Sequence, residues 1–252
     1  MAFFNSSTRT SNPAFRQNTF IRASDTGAVM TLQGTVNKTG ILLLLCAAAA
    51  AWTWNIARTQ GNEAVQPWIL SGFLGGFIVA LIAIFVQKST PFTAPIYAVL
   101  EGFALGGISS LFSETYHYIA IQAVAVTFGA LALMLALYSA GILRATPKFV
   151  AGILIATGGV CLVYVVDMVL QLFGQAMPLI HASTPMGIGF SLVVVAIATL
   201  NLILDFGMIE QGVEQGAPKY MEWYGAFGIM VTLVWLYLEI LRLLAKMSGN
   251  RQ

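Results

Sequence analysis

Seven stretches of about twenty apolar residues, set apart by short gaps, leave this chain few ways to fold. They cover residues 39–57, 67–86, 94–112, 118–140, 149–172, 186–206 and 224–245. A helix rises ~1.5 Å per residue and the hydrocarbon core of a bilayer is ~30 Å thick, so about twenty apolar residues cross it. The gaps hold turn and breaker residues: Gly61-Asn62, Ser89-Thr90-Pro91, Ser113-Glu114, Thr146-Pro147, Ser183-Thr184-Pro185 and Gly216-Ala217-Pro218. No gap is long enough for a second soluble domain. Charged residues make up 9% of the chain, against about 25% in soluble globular domains, so lipid must be the solvent for most of it. The expected fold is an all-α integral membrane protein with seven transmembrane helices. A membrane domain over 39–252 would follow a polar N-terminal tail over 1–38.

That tail is rich in Ser, Thr, Asn and Arg and precedes the first apolar run, so it does not read as a cleavable signal peptide. Basic loops stay on the cytoplasmic side. With the N-terminus inside, the inner segments carry Arg9, Arg16, Arg22, Lys38, Lys88, Arg144, Lys148 and Lys219, and the outer ones Arg58, Arg242, Lys246 and Arg251. This distribution predicts a cytoplasmic N-terminus and an outer C-terminus. The net charge of +2 is scattered, which removes nucleic acid as a partner. Cys46 and Cys161 lie inside apolar runs with no ligand-type neighbour, so neither a disulfide framework, a metal site nor a cofactor is indicated. Small residues recur in GFLGG at 72–76 and EGFALGG at 101–107 and read as close helix-packing faces within the chain.

Four acids fall inside the apolar runs: Glu101, Asp167, Asp205 and Glu239. An ionisable side chain at bilayer depth costs at least ~2.5 kcal/mol on insertion scales and is a functional candidate by default. Arg242 is the only cation within these runs, so the acids must hold protons or meet a passing cation. Asn201 and Asp205, four residues apart, share one face of the sixth run, and Thr232, Trp235, Glu239, Arg242 and Lys246 form one face of the seventh. Each acid also has a plainer reading: Glu239 with Arg242 as a structural ion pair, and Asp167 as a solvated group near the outer interface. Counted from the ends of the apolar runs at ~1.5 Å per residue, Asp205 sits near the inner boundary and Glu239 about 22 Å above it.

The strings SNPAF at 11–15, MTLQGTVNKTGILLLL, PIYAVLEGFALGGIS, NLILDFGMIEQG and LVWLYLEILRLL run through almost the whole chain. On these the chain resembles the transmembrane Bax inhibitor motif family, in its bacterial Bax inhibitor-1/YccA-like branch. The resemblance implies six helices, in two groups of three, around a central seventh. It also implies a pH-sensitive calcium leak of the inner membrane, gated by a carboxyl pair on the sixth and seventh helices. Carried over by motif, the pair is Asp205 in LILDF and Glu239 in LYLE, where relatives usually place Asp; Glu101 and Asp167 would line the cation path, with Asn201 and Arg242 as supporting polar groups. A proton shared by two carboxyls would hold the helices together at low pH and release them on deprotonation. Contact between Asp205 and Glu239 requires the sixth helix to run well beyond the membrane and the seventh to be kinked; otherwise the four acids form a staggered ladder from inside to outside.

Enzyme function is not expected. The YD and GxGD pair of intramembrane aspartyl proteases is absent, His117 and His181 fall in or beside outer loops, and there is no GxxxxGK or HExxH. Two other readings stay open: a non-conducting regulator or substrate of a membrane-bound protease, grasped by the tail, and a proton-coupled cation exchanger.

Overall fold

The computed structural model describes residues 28–175 and 177–249, and in them every long element is a helix. Seven helices are long and apolar enough to cross a membrane. They are α1 (Leu32–Gln60), α2 (Gln66–Phe85), α3 (Thr90–Thr115), α4 (Ile119–Ser139), α5 (Pro147–Leu172), α6 (Pro185–Glu214) and α7 (Met221–Gly249). Short 3-10 turns precede α2 and α3, and a single helical turn, Pro178–His181, lies between α5 and α6. The helices alternate in direction, so α1 begins at the end of the bundle where α4 and α6 finish.

Local chemistry explains the helix starts. Thr31, Thr146 and Thr184 accept from the backbone N–H of Gly34, Phe149 and Gly187, capping α1, α5 and α6. Proline stands in the first turn of α2, α3, α5 and α6, where its missing N–H costs nothing. Of the prolines expected to mark loops, Pro91, Pro147 and Pro185 therefore begin helices, while Pro218 stays in the turn before α7. Ser113-Glu114, expected in a loop, belongs to the last turn of α3; the break comes at Tyr116–Tyr118, where Tyr118 turns left-handed with φ 63°.

Apolar runs miss the start of α1 and the end of α6. α1 starts at Leu32, seven residues before its apolar run, so 32–38 are helical rather than tail. Residues 1–27 of the expected tail lie outside the described residues. α6 continues to Glu214, eight residues past the apolar end at Phe206. Polar turns such as Gln33, Asn37 and Lys38 continue a helix that hydropathy alone cannot see.

The core is organised around α7, which packs against α1, α3, α4 and α6. One side of it, with Ile229, Leu233, Leu236 and Ile240, meets Ile119 and Ala123 of α4 and Ala198, Leu202 and Phe206 of α6. The other, with Phe227, Met230 and Val234, meets Leu42 and Cys46 of α1 and Tyr97 and Ala98 of α3. In lipid, apolar side chains gain little by leaving one apolar medium for another, so close backbone approach carries the packing. Gly102 and Gly106 of α3 lie against the backbone of Cys46 and Ala50 on α1, and Gly72 of α2 lies against Leu100 and Ala104 of α3. Phe85 and Leu172, about 80% exposed, belong to the outward apolar surface. Helix α5 stands apart; its principal neighbour is α6.

Candidate cation pathway

Because α5 packs chiefly on α6, the bundle is open between α4, α5 and α6 at the end where α1 begins. A cavity of ≈ 820 Å³ lies there, and its lining includes Tyr138, Arg144, Asn201, Asp205, Glu210 and Glu214. Tyr138 donates a hydrogen bond to Glu210, joining α4 to α6. Asp205 lies nine residues back from the end of α6, about 14 Å along the axis. Its Oδ2 accepts from the Thr232 hydroxyl of α7 at 2.6 Å. One turn away, the Asn201 amide donates to Thr157 of α5 at 2.8 Å and to the Ile197 carbonyl at 2.9 Å. The cavity thus reaches a carboxyl group paired with a neutral hydroxyl rather than with a cation.

Beyond this level the seam between α5, α6 and α7 is bridged by polar side chains. Tyr164 donates to Glu239 Oε1 at 2.7 Å, and Arg242 Nη1 donates to both Glu239 oxygens at 3.0 and 3.1 Å and to the Tyr164 oxygen at 2.8 Å. Lys246, buried, donates to the Gly187 carbonyl at 3.0 Å and to Ser191 at 2.8 Å. Ser191 lies fourteen residues before Asp205 on α6, and Lys246 fourteen after Thr232 on α7, so both pairs belong to one antiparallel register. That register sets Glu239, seven residues past Thr232, opposite Ala198 rather than Asp205.

The shared-proton pair is therefore not formed: no hydrogen bond joins Asp205 to Glu239, whose levels on α7 differ by seven residues, about 10 Å. The offset is smaller than the 22 Å read from the apolar runs because α6 continues to Glu214. It is still too long for contact. The face from Thr232 to Lys246 does point into a polar seam, as its spacing suggests, and the Glu239–Arg242 ion pair is present.

Glu101 and Asp167 lie elsewhere, and the cavity lining includes neither. Glu101 is buried between α2 and α3, and a Cβ on Gly76 would come within 2.6 Å of its Oε1, so the glycine makes its room. Asp167 anchors the α5–α6 connection: it accepts from Gln171 at 2.6 Å and from the Met177 backbone at 2.9 Å, with His181 Nε2 at 2.8 Å.

Sequence reasoning missed a fifth acid. Glu222, fully buried at the start of α7, binds Lys38 and Lys219 and accepts from the backbone and hydroxyl of Thr31 at 2.9 and 2.8 Å. Beside it, Met30 N–H donates to the Ala217 carbonyl at 2.7 Å, and Lys219 N–H donates to the Ala28 carbonyl at 3.1 Å. The cluster ties the chain before α1 to the α6–α7 turn. Its signal was present, since Lys38 and Glu222 each stand just outside an apolar run on the same predicted side. Glu222→Gln is expected to lower stability by about 1–3 kcal/mol, as two cations lose a charged acceptor while both keep a route to water. Thermal unfolding in detergent reads this, and a melting temperature equal to wild type would remove the clasp.

A seven-helix, multi-pass membrane protein with an acid in the lining of a cavity is the class that fold and site define. The family model described as Bax inhibitor 1 like matches residues 12–249, and the chain belongs to that family. No curated protein matches it.

Proposed function

We propose that this chain is a pH-sensitive cation leak of the bacterial inner membrane, with calcium as its ion by resemblance and the N-terminus in the cytoplasm, and that it is not an enzyme. One observation carries the reading: Asp205, in the lining of the cavity, accepts a hydrogen bond from Thr232, and among the described residues no cation is bonded to it. A carboxyl so placed can take up a proton or attract a metal cation without first breaking an ion pair. Glu210 and Glu214 line the same cavity against one arginine, Arg144, which favours cations at its mouth. In this reading Asp205 is the sensor, while Glu239 is a structural partner of Arg242.

The test is calcium uptake into proteoliposomes holding the purified protein, scanned from about pH 6 to pH 8, a range that brackets carboxyls displaced by burial. Protein-dependent flux that grows with pH is the expected result. Absence of flux at every pH would end the leak reading and bring forward that of a non-conducting regulator.

A further inference from the structure

Lys246 is a cation in the wrong place for simple stability. It is 4% exposed, its two partners are a carbonyl and a hydroxyl, and among the described residues no carboxylate is bonded to it. The nearby acid on its own helix, Glu239, is already bound by Arg242. From the facing helix, Gly187 and Ser191 belong to the first two turns of α6, whose N-terminus carries partial positive charge. With the Arg242 guanidinium balanced by Glu239, the ammonium and the helix terminus add as the uncompensated positive charge at one end of the seam. At the other end, Asp205, Glu210 and Glu214 face the cavity. The two ends lie on one register, about 21 Å apart for fourteen residues.

We propose that Lys246 is a tethered cation that closes the far end of the α5–α6–α7 seam to permeant cations, so that the path attracts cations at the Asp205 end and repels them at the Ser191 end. This rests on the leak reading. An ammonium held by neutral groups occupies the place a passing cation would take, using the same Gly187 and Ser191 oxygens. Conduction then requires Lys246 to leave those oxygens, which movement of α6 against α7 would accomplish. A capping role alone would be met as well by a neutral donor, without the cost of burying a charge.

The experiment compares calcium flux per folded protein for wild type, Lys246→Met, Lys246→Arg and Ser191→Asp. Methionine removes the charge at similar length. Aspartate at 191 neutralises it by another route, so the test survives the loss of either variant to misfolding. Both are expected to raise flux by about tenfold, the order expected for one unit charge near an ion at low effective dielectric; arginine should leave flux at the wild-type level. Flux in the neutralised variants alone would also support the barrier, with wild type as the closed form. If wild type conducts and neither neutralised variant exceeds it, Lys246 is only a helix cap and the leak reading stands. If none of the four conducts, the leak reading falls and takes the barrier with it.

Discussion

In proteoliposomes, Asp205→Asn is expected to flatten the pH dependence of cation flux and to hold it near the acid level of the wild type. Asparagine preserves the shape of the side chain and can still accept from Thr232, so the change is one of charge. At high pH a deprotonated Asp205 sets a negative charge at the end of the cavity; at low pH a proton cancels it. Flux should therefore rise with pH in the wild type and not in the variant. A unit charge ~10 Å from a permeant ion at an effective dielectric of ~20 is worth ~1.7 kcal/mol, about tenfold in flux at the alkaline end. Glu239→Gln separates this arrangement from a shared-proton pair. If Asp205 and Glu239 shared a proton, neutralising either would abolish the response equally. With Glu239 bound instead by Tyr164 and Arg242, Glu239→Gln should change the amount of flux while leaving its rise with pH. Identical flat profiles for the two variants would restore the pair and overturn the register described above.

The seven spans were legible because bilayer thickness converts directly into run length, and each apolar run lies within, or nearly within, one helix. Their ends were not. A helix continues through polar residues once it leaves the hydrocarbon, so residues 32–38 and 207–214 were lost to hydropathy, and with them the register of α6 on α7. The polar face of α7 was read correctly from its steps of three and four. What faces it was not, since Tyr164 and Ser191 are unremarkable inside apolar runs and only tertiary packing brings them to Glu239 and Lys246. Lys246 was counted as an outer-segment charge because it follows the last apolar residue, although the helix carries it back against α6. The cavity was beyond sequence altogether: it exists because α5 packs chiefly on α6, a property of helix packing that no single run encodes.

Two glycine-to-alanine substitutions should move stability in opposite directions and show that the small-residue face of α3 is a packing device. At Gly106 a Cβ would stand 2.3 Å from the Ala50 carbonyl oxygen and 2.7 Å from its Cα. Both are backbone atoms, which cannot rotate away, so relief requires α1 and α3 to separate by roughly 1 Å to reach ordinary contact. Separation would spread along the interface, because Gly102 meets Cys46 in the same way one turn earlier. The cost should exceed the ~1–3 kcal/mol usual for overpacked cores, where side chains share the adjustment. At Gly129, within α4, a Cβ meets nothing within 4 Å. There alanine limits the unfolded chain and favours the helix, a gain of about 0.5–1 kcal/mol. Thermal unfolding of both variants in one detergent, followed by the fraction remaining monodisperse, is the measurement. Gly106→Ala should lose most of its folded protein at temperatures the wild type withstands, while Gly129→Ala should match or exceed wild type. Equal melting of the two variants would mean that α1 and α3 do not approach this closely, and that the glycines of α3 serve some purpose other than packing.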